Sequence, residues 1–321
     1  MKFTLRAATG TPSYPLPITQ TIKWQENRTS IALGHVPAGH IIVPSFSFIP
    51  SIHSPQIKSS TYVFSLQAKD HHDVYLQRVP AKGTQHCARG GSDTSVSTHI
   101  DCYHTHKNLD EVVLSLELDA TIPEEALLSV SVRPIVIDPP NPKPRQIKLP
   151  QPVAISQMTG PEKIRQRICS PTALCMSLSI HRGDIKNHWL NIVERCHDPV
   201  SNAYGSWPLA IKVANEYGVQ AAVETFTDWQ AVHSALAGGH PIVCSINFAK
   251  GKLQGAPLAQ TSGHLVVLYG VTDTYVNVMD PAAASNSEVA MQYDIDEFSS
   301  AWLHQRGAAY IFSDHAYSLS H

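Results

Sequence analysis

Short apolar runs broken by turn residues dominate the first 136 positions. Ile41-Ile42-Val43, Thr61-Tyr62-Val63-Phe64-Ser65-Leu66, Val74-Tyr75-Leu76, Val112-Val113-Leu114-Ser115-Leu116-Glu117-Leu118 and Leu128-Ser129-Val130-Ser131-Val132 are rich in β-branched and aromatic residues, and Thr21-Ile22-Lys23-Trp24 precedes them. Several alternate apolar and polar positions with period two, the pattern of strands with one buried face. The spacing predicts an all-β sandwich over residues 1–136.

Prolines then crowd Ile137-Asp138-Pro139-Pro140-Asn141-Pro142-Lys143-Pro144-Arg145 and continue to Leu149-Pro150-Gln151-Pro152. They remove backbone donors and hold the chain extended, so residues 137–152 read as a stiff linker. Over residues 153–321 the period changes. Pro171–Ile180, Ile185–Arg195, Pro208–Tyr217 and Trp229–Leu236 carry helical patterns, and Pro241–Ile246, His264–Tyr269, Tyr275–Met279 and Ala309–Phe312 read as strands that follow them. Helices grouped ahead of strands predict an α+β domain.

A chain of 321 residues, at roughly 100–200 per domain, is long enough for these two units to bury separate cores. Its 24 Lys+Arg against 26 Asp+Glu give a formal net charge of -2, without the basic run of a nucleic-acid or membrane-surface binder. Every apolar run is broken well short of the roughly 18 residues of a membrane span. No apolar segment of signal-peptide length follows Met1-Lys2-Phe3-Thr4-Leu5-Arg6, so the expectation is a cytoplasmic protein, or one exported by a leaderless route. Six cysteines, none in a CxxC pair, are too sparse for a disulfide scaffold, which leaves reduced thiols as the default.

One of those thiols sits in a distinctive place. Pro171, two residues after Cys169, and the helix formers beyond it put Cys169 at or just before a helix N-terminus. There the helix dipole favours a thiolate, the reactive form of cysteine. A thiolate nucleophile needs an imidazole, and the imidazole needs an orienting group. Gly263-His264 opens an apolar run, and Tyr275–Met279 ends in Asp280-Pro281, within reach if the two runs form an antiparallel hairpin. Each residue alone has an ordinary structural reading: a core cysteine, a strand-end histidine, an Asp-Pro turn. Their order along the chain sets them apart.

Six segments in succession carry a family resemblance: Ser156-Gln157-Met158, Cys169-Ser170-Pro171-Thr172, Tyr204-Gly205-Ser206-Trp207-Pro208, Gly239-His240-Pro241-Ile242-Val243, Gly263-His264-Leu265-Val266-Val267 and Asp280-Pro281-Ala282-Ala283. They resemble the cysteine peptidases of family thirty-nine, papain-like enzymes whose best-known members process bacteriocin leader peptides. The resemblance covers about residues 153–313 and is closer to the stand-alone branch, because the chain has neither membrane spans nor a P-loop. Val43-Pro44-Ser45-Phe46 and the stretch from Asp101 to Leu118 resemble the β-rich domain that precedes the peptidase in some of these proteins.

The resemblance implies a papain-like fold after residue 152, with Cys169 as nucleophile, His264 as general base and acid, and Asp280 orienting the ring. It implies that the side-chain amide of Gln157, with the Cys169 N–H, binds the oxyanion. Gln166 lies nearer Cys169 in sequence, but close to a helix start its side chain can turn away. The expectation is a cysteine peptidase acting on a peptide or protein substrate, with no metal or organic cofactor and no nucleic-acid partner. An amidase or acyltransferase would use the same triad, and a catalytically silent peptide- or glycan-binding protein would keep the fold. Among other candidates, Cys102-Tyr103-His104-Thr105-His106 offers metal-ligand types without a complete set, and Cys87 could pair with Cys102 outside a cell.

Overall fold

Among the described residues the first half has strands β1 (Lys2–Thr9), β2 (Ile18–Thr19), β3 (Arg28–Val36), β4 (His40–Ser47), β5 (Tyr62–Gln67), β6 (Val74–Tyr75), β7 (Val96–His99), β8 (Cys102–Thr105), β9 (Leu109–Leu118) and β10 (Glu125–Pro134), of which β4, β5, β6, β9 and β10 overlap expected runs and the others were not expected. The structure, a computed structural model, describes residues 2–9, 18–19, 24–47, 61–69, 74–75, 94–99, 101–119, 125–138, 144–199 and 201–313. The expected strand at 21–24 falls largely outside these residues, as does Cys87. One sheet runs β2-β1-β10-β4-β8-β7 and the other β3-β9-β5-β6. Their facing sides share one apolar cluster, with Ile42, Phe46, Tyr103, Leu128 and Val130 from the first and Tyr62, Phe64, Leu66, Leu114 and Leu116 from the second. This is why period-two runs were legible there: alternate residues of β4 and β10 go to that cluster.

The second half adds β11 (Ile147–Lys148), α1 (Cys169–Leu178), α2 (Trp189–Arg195), α3 (Trp207–Glu216), β12 (Gln220–Thr225), α4 (Trp229–Leu236), β13 (Ile242–Phe248), β14 (Thr261–Val271), β15 (Tyr275–Met279), β16 (Ala290–Asp294), α5 (Ile295–Ala301) and β17 (Ala308–Ser313). Its sheet runs β12-β17-β13-β14-β15-β16, with β11 paired to Gly270 and Val271 of β14 on the side opposite β15. The C-terminal part of the proline-rich tract is thus docked onto this sheet. Helices and strands are more interleaved than the sequence suggested: β12 precedes α4, and α5 lies between β16 and β17. The helical run expected at 185–195 splits into a 3-10 turn, Ile185–His188, and α2, because Asn187 and His188 are weak helix formers. No helix among the described residues is long and apolar enough to cross a membrane.

Within the six-stranded sheet, β4 and β10 are covered on both faces. In β4 and β10 the set alternate to the apolar cluster is Ile41, Val43, Ser45 and Ser47, facing Leu127, Ser129, Ser131 and Arg133 across the register. Ile41 and Val43 join the core cluster that contains α1 and α3, and Leu127 joins the one around β13 and β14. The serines meet β12, the edge strand of the second half's sheet. Ala221 N–H donates to Ser47 Oγ at 3.4 Å, Val223 N–H to Ser45 Oγ at 2.9 Å and Thr225 N–H to Ser131 Oγ at 3.1 Å. Ser129 Oγ donates to Glu224 at 2.9 Å, and Ser47 Oγ to Asn215 Oδ1 at 2.8 Å. Alternate N–H groups of an edge strand have no neighbouring strand to bond, and here a row of hydroxyls takes that place.

Arg133 enters the second half at the end of this row. It is fully buried and gives its guanidinium hydrogens to backbone carbonyls: Pro134 at 2.9 Å, Leu303 at 3.0 Å, Gln305 at 2.7 Å, and Phe226. Burial lowers its pKa to about 10, so it remains charged at neutral pH. Gly307, with φ of +61°, makes room, since a methyl group there would overlap Arg133 Nη1 and the Phe226 carbonyl.

This contact between the halves sets two expectations for stability. Ser45→Ala strands the buried Val223 N–H and lowers unfolding free energy by about 1–3 kcal/mol in urea titration, with an unchanged m value. Gly307→Ala combines a left-handed backbone with overpacking and costs roughly 2–5 kcal/mol in the same assay.

Candidate active site

Helix α1 begins at Cys169, with Ile168 in the capping position and Pro171 in the first turn. Ser170 to Leu178 are all buried, whereas Cys169 is half-buried, so the thiol marks the end of the helix that reaches the surface. A helix that is apolar on every side has to be surrounded, and α1 packs on β14 and β13 below and α2 and α3 beside it. Its first turn is held by side chains. Ser170 Oγ and the Tyr310 hydroxyl lie 2.8 Å apart, Thr172 Oγ donates to Ile168 O at 2.7 Å, and Trp189 Nε1 donates to Thr172 Oγ at 3.0 Å.

β14 and β15 form an antiparallel hairpin, the condition under which His264 and Asp280 come within reach, with Val267 opposite Met279. His264 is the fourth residue of β14 and its first buried one, and Asp280 directly follows β15. His264 is therefore inside its strand rather than at the first position, because Thr261, Ser262 and Gly263 extend the strand outward. The hairpin brings His264 Nε2 to 2.8 Å from Asp280 Oδ1. Cys169 lies close enough to the same ring for His264 to act on its thiol. Asp280 Oδ1 also accepts the Ala282 N–H at 2.8 Å, and Oδ2 accepts the Tyr293 hydroxyl at 2.6 Å.

Gln157 opens a 3-10 turn, Gln157–Thr159, and is buried. Its N–H donates to Pro281 O at 2.8 Å, and Ser156 N–H donates to Asn286 Oδ1 at 2.7 Å, so the turn is tied to the segment that follows Asp280. The Gln157 amide nitrogen donates to Arg165 O at 2.8 Å, which uses one of its two hydrogens and leaves one. Its Oε1 is buried with no hydrogen-bond partner. Gln166 is exposed.

Burial pushes the Cys169 thiol up, but the hydrogen bond and charge of His264, with the N–H groups of Leu265 and Ser170, outweigh it and leave the thiol below the ordinary value. Burial opposes the imidazolium as well, yet the Asp280 charge and hydrogen bond, and then Cys169, push His264 up to about 10. Asp280, penalised by burial, is held below its usual range by His264, Tyr293 and the Ala282 N–H. The contrast with the other buried thiols is sharp. Burial raises Cys102 and Cys175 to about 12, and raises Cys196 and Cys244 as well. A lowered thiol beside a raised imidazole is the arrangement that favours a thiolate next to an imidazolium.

Sequence reasoning missed Tyr293, Tyr310 and the serine row. Tyr293 is the one fully buried side chain of β16, in a segment, Ala290-Met291-Gln292-Tyr293-Asp294, with no motif around it. Around Cys102, Sγ is 3.6 Å from His104 Nε2, while His106 Nε2 is 2.8 Å from Ser97 Oγ. Among the described residues no three His, Cys, Asp or Glu side chains converge to hold a metal.

This arrangement has a pH signature. A lowered thiol keeps its thiolate at pH values below the ordinary midpoint of about 8.5, and a raised imidazole keeps its proton up to about 10. Iodoacetamide is expected to alkylate Cys169 at mildly acidic pH while Cys102, Cys175, Cys196 and Cys244 stay unlabelled. His264→Ala removes that selectivity, as read by peptide mass spectrometry across a pH series.

Residues 152–310 match the Peptidase_C39 like family. Comparison with curated proteins and with solved structures gives no match. The matched segment runs from just before the Gln157 turn to the Tyr310 hydroxyl, and so contains Cys169, His264 and Asp280. Over that segment the chain is similar to the Peptidase_C39 like family, which supports a C39-like peptidase region.

Proposed function

We propose that the protein is a cysteine peptidase that hydrolyses peptide bonds through Cys169, His264 and Asp280, with Gln157 at the oxyanion. The observation that carries the reading is the 2.8 Å contact between His264 Nε2 and Asp280 Oδ1, made by a ring that also acts on a thiol at a helix N-terminus. The Cys169 thiolate attacks the scissile carbonyl carbon, forming a C–S bond as the carbonyl electron pair moves onto oxygen. The Cys169 N–H and the remaining hydrogen of the Gln157 amide stabilise that oxyanion. As the C–N bond breaks, His264 gives its proton to the leaving amine. A water, deprotonated by the same ring, then attacks the thioester and regenerates the thiolate.

On this reading the matched segment has the papain-like fold, residues 1–136 are a sandwich, and 137–152 connect the two. The sandwich has a mechanical role: its serine row and Arg133 hold β12 and the loop before β17, and β17 carries the Tyr310 that braces Ser170.

Cys169→Ala is the test. Incubation with a peptide library, read by mass spectrometry, is expected to show cleavage by the wild type and a loss of at least about 10³-fold in the variant, with unchanged circular dichroism. Cleavage retained in the variant overturns the reading. New amide products with an added amine acceptor would move it to acyl transfer, and absence of turnover in the wild type would move it to the binding protein.

A further inference from the structure

The Asp280 carboxylate is held at three points. Oδ1 takes His264 Nε2 and the Ala282 N–H, both at 2.8 Å, and Oδ2 takes the Tyr293 hydroxyl at 2.6 Å. A carboxylate turns easily about its Cβ–Cγ bond, and donors on one oxygen alone do not stop it from presenting the wrong edge to a neighbour. The third donor fixes its plane. Tyr293 is itself firmly held, because it is 1 % exposed on a strand that is otherwise half-buried or exposed, and its ring stacks on Phe298 at 6.1 Å and 19°.

We infer that Tyr293 is a positioning residue of the site, whose hydroxyl holds the Asp280 carboxylate with Oδ1 against His264 and thereby keeps the imidazolium in place for Cys169. The inference rests on the proposed working set of Cys169, His264 and Asp280 and adds a fourth member to it. The groups that face the carboxylate are His264 from β14, Tyr293 from β16 and the Ala282 N–H, with Cys169 beyond the ring from α1. The Tyr293 phenol is driven far above its ordinary value, first by burial and then by the charge and hydrogen bond of Asp280, so it keeps its proton and stays a donor wherever the thiolate exists. Removing the donor leaves a buried anionic oxygen without its partner. Both consequences, rotation of the carboxylate and weaker ionisation at low pH, loosen the imidazolium and raise the thiol.

The test is Tyr293→Phe in the full chain, which keeps the ring and its stacking and removes the hydroxyl alone. The acid midpoint of Cys169 alkylation by iodoacetamide is expected to rise by at least about 0.5 pH unit, a roughly threefold slower reaction on the acid limb. Phe298→Leu loosens the packing of the same ring and leaves the hydroxyl, and its shift is expected to be smaller than that of Tyr293→Phe. In an Asp280→Asn background, Tyr293→Phe is expected to add no further shift. An unchanged midpoint in Tyr293→Phe, an equal shift in Phe298→Leu, or a full shift persisting without the Asp280 charge overturns the inference. Alkylation needs no peptide substrate, so this outcome is separate from whether Cys169→Ala abolishes cleavage.

Discussion

The unpaired backbone of β12 is the constraint on which the site depends. An edge strand inside a folded protein must find partners for its outward N–H groups, because each one buried alone costs about as much as several good contacts return. Here Ser45, Ser47 and Ser131 supply them from another sheet. From β12 the pairing runs inward: β17 pairs with both β12 and β13, and β13 pairs with β14, which carries His264. Tyr310 stands at that junction, opposite Val223 on one side and Val243 on the other, and braces the residue after Cys169. Satisfying one edge therefore sets the register of the sheet against which α1 is packed.

Burial works against the chemistry everywhere in this protein, and the site is the place where partners reverse it. Five described cysteines lie in or near cores, and burial pushes the thiol up at every one. Only at Cys169 does an imidazole outweigh the desolvation, and that imidazole stays charged because Asp280 is charged beside it. Asp280 in turn is kept ionised by three donors. The chain of dependence ends at neutral groups, a tyrosine hydroxyl and a backbone N–H, which need no further partner. Arg133 follows the same logic with different means: its buried charge is met by a ring of carbonyl dipoles.

Much of the local structure was legible because its signals are local. Pro171 after Cys169 specifies a helix start within one turn, and α1 begins at that cysteine. The two apolar runs of β14 and β15 were legible, and the antiparallel hairpin on which the reach from His264 to Asp280 was conditional is formed. β12 was invisible for a definable reason. Gln220-Ala221-Ala222-Val223-Glu224-Thr225 has little β-branched content and buries its polar residues as well as its apolar ones, so neither propensity nor period two stands out. The serines of β4 and β10 misled in a related way: alternation there signals two buried faces of different chemistry, not one buried face and one wet face.

The sequence by itself determined which groups could react and which segments would carry them: a thiol before a helix, a histidine on a strand, an aspartate at a strand end, and two halves with different periodicity. Those properties depend on neighbours a few residues away. The tertiary structure decided everything that depends on distance through space. It chose which oxygen of Asp280 faces His264, gave Tyr293 to the other, committed one hydrogen of the Gln157 amide to Arg165 O, and set the first half's sheet against the edge of the second. Hydrogen bonds and charge interactions act over a few ångströms between residues up to 178 positions apart, and no pattern along the chain encodes that proximity.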